Sequence, residues 1–192
     1  MRARCRRRRL ARWSVLFATT VLAATALAAE ETDRLGRAVQ LHDQGRYEEA
    51  RSLLEQVVAD EPENHRALWN MGLLSMSERQ HEEAIRWFDD AIAVDDSMAE
   101  YHLWRGYAYA QKLEACGLLT KIFVAPKIRS SLEQAVRLDP QNVKARRALL
   151  RYYERAPAIL GGGRTKAERQ AAAIRGLEAP GASEPAASVS GE

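Results

Sequence analysis

The sequence predicts an all-α fold of stacked antiparallel helix pairs, about four hairpins in all. Three observations predict it: a 34-residue self-similarity, small residues that recur at fixed places within it, and prolines that close the apolar-periodic segments. "GRYEEARSLLEQVVADEP" (Gly45 to Pro62) aligns with "RQHEEAIRWFDDAIAVDD" (Arg79 to Asp96), so that Glu48-Glu49-Ala50 falls on Glu82-Glu83-Ala84. Gly72 and Gly106 are separated by the same 34 positions. A later stretch, "SSLEQAVRLDP" (Ser130 to Pro140), repeats the end of the first unit.

Within each unit the small residues pair between two helices, Ala38 with Ala50 and Gly72 with Ala84. Small side chains there let two helix backbones approach closely, and Leu54 and Phe88 fill the space beside them. Tyr47 and His81 stand at the turns between the helices. Pro62 and Pro140 stop the second helix, because proline lacks an N–H and biases its predecessor away from the helical region. This pattern resembles the tetratricopeptide repeat, whose period is 34 residues. The resemblance covers about residues 31–140. It implies a right-handed solenoid of tetratricopeptide type, with units at about 31–64, 65–98, 99–142 and a divergent 143–177. The pattern departs in two ways: the usual aromatic of the first helix is Arg34, Leu68 and His102, and Asp96 replaces the closing proline of the second unit.

The third unit breaks the period. Ile128 takes the place of Ala84 at a distance of 44, ten residues too many, and the excess falls in "LEACGLLTKIFVAP" (Leu113 to Pro126). This insertion is apolar, so it is expected to pack back on the domain as a short helix, with Pro126 in the first turn of the helix that follows. After Pro140, Val143, Leu149, Leu150 and Tyr153 fall at helical spacing and begin the fourth unit.

Gly161, Gly162 and Gly163 raise the question of a phosphate-binding loop. A Walker A loop needs G-x-x-x-x-G-K-[ST] after a strand. Here the first glycine position is Ala158, the lysine position is Arg164, and a helix precedes. A turn fits instead, with Thr165-Lys166-Ala167-Glu168 as a capping box for the next helix. "YYERAP", "LGGG" and "KA" together resemble a C-terminal segment of bacterial exported tetratricopeptide proteins, a likeness that implies no defined activity.

The N-terminus carries seven arginines in its first twelve residues, followed by an apolar run from Trp13 to Ala28 that ends in Ala26-Leu27-Ala28. This is the order of a secretory signal peptide, residues 1–28, cleaved before Ala29. The run is short for a membrane span, although an uncleaved N-terminal anchor is the alternative. Cleavage would leave 22 basic against 26 acidic residues, about −4 in place of +3, so the sequence pI near 9.0 describes only the uncut chain. Periplasmic or secreted placement follows from that expectation. Cys116 would then be the sole cysteine, unable to form an internal disulfide. Residues 178–192 are rich in Pro, Ala, Ser and Gly and are expected to be a disordered tail.

Catalytic chemistry finds little footing. His42, His65, His81 and His102 are scattered, and "HEEAI" lacks the second histidine of a zinc-binding helix at Ile85. No catalytic or metal residues are assigned and no cofactor is expected. Nucleic acid is not an expected partner, and the oligomeric state is open.

Binding is the better-supported expectation, because stacked hairpins line one concave face with their first helices. By the register of the resemblance, Arg66, Trp69, Asn70, Leu73 and Met76 face it in the second unit. Glu100, Leu103, Trp104, Tyr107 and Ala110 do so in the third. Lys144, Arg147 and Arg151 share one face of the fourth. The expected ligand is a segment of another protein, with an apolar anchor at the centre and an acidic group at the basic end. The competing structural reading makes the tryptophans core fillers between units. The carboxylate clamp of chaperone-binding relatives is not matched at Leu35 and Val39, although Asn70 does match it. An enzyme or cofactor handler using the atypical C-terminal half, and an obligate structural subunit, are the alternatives.

Overall fold

The computed structural model describes residues 34–115 and 118–179; the expected signal peptide, Cys116 and the tail beyond Ala179 lie outside the described residues. The fold is all-α, with helices paired as antiparallel hairpins in the manner of a helical solenoid. Among the described residues the chain divides into two compact units, the first ending at Pro62 and the second beginning at Glu63. In the first, α1 (residues 34–43) pairs with α2 (Tyr47–Asp60). Ala38, Ala50 and Leu54 are buried together with Leu41 and Val57, and Arg34 reaches Asp60 at 2.7 Å. The position at which the resemblance puts an aromatic is thus used here for an ion pair between the two helices.

The second unit holds three hairpins: α3 (His65–Ser77) with α4 (His81–Val94), α5 (Ala99–Ala115) with α6 (Leu118–Leu138), and α7 (Val143–Arg155) with α8 (Arg164–Glu178). Each second helix packs against the first helix of the following hairpin, α4 on α5 and α6 on α7. Gly72 shows why the small residue recurs. A Cβ built there would lie 2.4 Å from the Phe88 ring, and one built on Gly106 would lie 2.8 Å from Leu132. Phe88 is fully buried as a result, a burial that contributes about 1.5–3 kcal/mol.

The turns inside the hairpins repeat bond for bond. Gly45 N–H donates to the His42 carbonyl and Arg46 N–H to Leu41; 34 residues on, Arg79 donates to Met76 and Gln80 to Ser75. The five-residue reach of the second bond in each pair marks a Schellman-type stop, which places a residue in the left-handed region. Gly45 occupies it at φ 74° and Arg79 at φ 63°. The entries to α3 and α7 are likewise built alike, the Asn64 and Asn142 side chains each accepting from a backbone N–H three residues on, at 3.0 Å. Where Asp96 replaces the closing proline, the neighbouring Asp95 carboxylate accepts from the backbone N–H and the hydroxyl of Ser97, turning the chain without proline.

The expectations for the insertion are corrected. The ten extra residues of the third unit form no separate short helix: they lengthen α5 to 17 and α6 to 21 residues, against 13 and 14 in the preceding hairpin. Pro126 lies inside α6, not in its first turn. With no N–H to return to the Ile122 carbonyl, it separates an added N-terminal stretch from the repeat helix proper. The insertion packs back on one side only, since Val124 and Ala125 are buried while Ile122 and Phe123 are 53% and 75% exposed.

The capping box at Thr165 does not form. Gly163 is the N-cap residue of α8, and Glu168 takes the Arg164 guanidinium at 2.8 Å rather than reaching back. The glycines do turn the chain, as expected. Gly161 is left-handed at φ 87° and lies against Arg129, while a Cβ on Gly162 would sit 1.8 Å from the Ala156 carbonyl oxygen. Glu178, assigned to the tail, is the last residue of α8.

Candidate functional site

The predicted binding residues lie on α3, α5 and α7, the first helices of three successive hairpins in the second unit. Trp69, Asn70, Leu73 and Met76 on α3 are half-buried, as are Trp104 and Tyr107 on α5. Lys144, Arg147 and Arg151 on α7 are exposed. Leu103 differs from this set: at 1% exposure it packs with Val124, Ile128 and Leu132 in the core, so it supplies no surface.

Trp69, Leu73, Met76 and Trp104 rest on the buried cluster of Ala84, Ile85, Phe88 and Ala108. Their inner faces are therefore core and their outer faces remain open, so the filler and surface roles are filled by the same side chains. Trp69 stands 5.7 Å from the Tyr101 ring, and Trp104 meets Tyr107 edge-on at 5.6 Å. The Trp69 indole N–H is buried with no hydrogen-bond partner. Tyr101 is also held by His65, whose Nδ1 lies 2.7 Å from its hydroxyl. Burial pushes the Tyr101 and Tyr107 hydroxyls above their ordinary pKa, so both stay neutral donors.

Polar capacity on this face is more restricted than the sequence implies. Asn70 donates its amide to the Arg66 carbonyl at 2.7 Å, leaving its own oxygen as the free group. Arg147 is bound to Glu178 at the end of α8. Lys144 and Arg151 make no ion pair among the described residues. Arg151 is close enough to Tyr107 for its charge to pull the hydroxyl pKa down, against the larger effect of burial. Of the three predicted cations, Lys144 and Arg151 are thus without an ion pair among the described residues, and Arg151 is the one that acts on Tyr107.

A separate cleft of about 450 Å³ opens between α7 and α8. Leu150, Tyr153, Ala167 and Ala171 form its wall, and the Arg164–Glu168 ion pair its rim. The Tyr153 hydroxyl is committed to Glu133 at 2.8 Å, and burial followed by that bond raises its pKa. Among the described residues no three His, Cys, Asp or Glu side chains gather into a metal-binding group.

Residues 35–99, from α1 to the first residue of α5, match the family model described as "Tetratricopeptide repeat". Residues 35–99, about a third of the chain, thus carry tetratricopeptide repeats. A comparison of the sequence with curated proteins returned no match. Among solved structures the chain is similar to "TTC0263: a thermophilic TPR protein" from Thermus thermophilus, at 22% identity and TM-score 0.63, over 77% of this chain and 74% of that one. It is also similar to MamA from Desulfovibrio magneticus RS-1, at 17% identity and TM-score 0.58, over 77% and 73% of the two chains. At these identities the likeness is one of fold: paired antiparallel helices over about three quarters of the chain.

Proposed function

We propose that the protein is a non-catalytic interaction module that holds a segment of a partner protein against the α3–α5–α7 face. The observation that carries this is the set of half-open aromatic side chains on α3 and α5, with Arg151, unpaired among the described residues, acting on Tyr107. Trp69, Trp104 and Tyr107 offer rigid apolar surface at little further entropic cost, since their inner faces are already fixed by packing. Lys144 and Arg151 offer charge without a carboxylate to give up. An extended or helical segment with an apolar anchor and an acidic group complements this face, and the tetratricopeptide repeats on the same chain fit such a role. Export through the N-terminal segment, with cleavage after Ala28 and work in envelope assembly or protein maturation, is the setting we propose for it.

The test is crosslinking and capture from the native compartment, with the native chain beside Trp104→Ala and Lys144→Glu/Arg151→Glu variants shown by circular dichroism to be helical. A partner captured by the native chain and lost by both variants supports the proposal. The same partner captured equally by all three chains sinks it and moves the site elsewhere.

A further inference from the structure

The lengthened α5–α6 hairpin exposes apolar side chains that the repeat does not require. Successive helical residues are about 100° apart, so Ile122, Phe123, Val124 and Ala125 sweep most of the circumference of α6. Val124 and Ala125 face inward and are buried; Ile122 and Phe123 face outward and are 53% and 75% exposed. A helical stretch that is apolar all round is a buried one, and this stretch is covered on one side only. Pro126 marks where it leaves the repeat helix, and the seven-residue excess of α6 over α4 carries it about 10 Å further along the axis.

Lysines flank the exposed pair in sequence: Lys127, one turn after, is exposed, and Lys121, directly before it, is part-buried. Neither has a carboxylate partner among the described residues. Lys127 lies over the Tyr109 ring at 5.5 Å, so its stem follows the protein surface while its charge stays outside. Lys112, nearby on α5, is committed to the exposed Glu82 at 2.9 Å, and Glu114 is a second exposed carboxylate near this end. Bulky apolar side chains between unpaired lysines complement an anionic lipid surface. The apolar groups enter the headgroup boundary while the ammonium groups remain at phosphate level. No helix among the described residues is long and apolar enough to cross a membrane, so the contact is interfacial.

We infer that the added N-terminal stretch of α6, through Lys121, Ile122, Phe123 and Lys127, is a docking site for the surface of an anionic lipid bilayer. It is independent of the α3–α5–α7 face and stands or falls without it. The test uses the full chain with Cys5→Ser and Cys116→Ser, a single cysteine introduced by Ile122→Cys or, as a control, Asp90→Cys on α4, and an environment-sensitive fluorophore on that cysteine. Because the readout is local, binding through the apolar N-terminal run does not mask it.

With vesicles of phosphatidylcholine containing phosphatidylglycerol, the label at 122 should shift to shorter wavelength and brighten while the label at 90 does not. The vesicle concentration needed should rise about tenfold or more with Phe123→Asp, and severalfold with Lys121→Gln/Lys127→Gln or with raised salt. No change at 122 while the chain is bound to vesicles would overturn the inference. An equal response on pure phosphatidylcholine would remove its electrostatic basis and overturn it too. A shift that grows with protein concentration in the absence of lipid would assign this stretch of α6 to a second copy of the chain instead.

Discussion

Arg79 carries a backbone geometry that its side chain does not favour. It holds φ 63° at the place where Gly45 holds φ 74° in the preceding hairpin, with matching hydrogen bonds around both. The left-handed region costs an ordinary residue roughly 1–2 kcal/mol, while glycine adopts it freely at the expense of a more flexible unfolded chain. Arg79→Gly is therefore expected to stabilise the protein by about 0.5–1 kcal/mol, read as a raised urea midpoint at unchanged slope. A lowered midpoint would show that the arginine stem repays the strain by packing. This position was legible in the sequence as the partner of Gly45 in the 34-residue register, because the turn geometry, and not the side chain, is what repeats. Leu103 was not legible in the same way. The register that puts it on the binding face holds for hairpins of ordinary length, and the lengthened α6 brings Val124 over it.

At the scale of an element, helix entry separates what sequence can and cannot announce. Asn64 and Asn142 cap α3 and α7 through bonds to a backbone N–H three positions on, a local arrangement decided within four residues. Thr165-x-x-Glu168 carries the same kind of local signature and is not used. The glycine turn delivers the chain so that Gly163 N–H reaches back to the Tyr153 carbonyl, and α8 begins before Thr165, at Arg164. A tertiary constraint, the close approach of Gly162 to the Ala156 carbonyl, has overridden the local one. Asn142→Ala should accordingly cost about 1 kcal/mol in chemical denaturation, and Thr165→Ala should stay within about 0.5 kcal/mol. Equal losses would restore the capping box. Pro126 belongs to the same lesson. Proline is suited to a first turn, but nothing local says whether an apolar stretch before it will add a further helical stretch.

For the whole molecule, the second unit is a chain of neighbours in which each helix is stabilised by the next. The ion pair between Arg147 and Glu178 lies beyond the reach of sequence reasoning for this reason: the two residues are 31 apart and meet only because α8 returns along α7. The same return covers Ala145, Ala148, Leu149 and Tyr153, the buried stripe of α7, with Ala167 joining their cluster. Removing residues 164–192 should uncover that stripe without touching the contacts of α3 with α4. In native-state hydrogen exchange the truncated chain is expected to lose protection through α7 and to retain it in α3 and α4, because opening spreads from an uncapped end of a repeat array. α6, whose Ile128 and Leu132 share the cluster with α7, should fall between the two. Uniform loss across α3 to α7 would instead mean that the hairpins fold as one indivisible unit. In that case the proposed partner face, which draws on three of them, could not open one hairpin at a time to admit a segment.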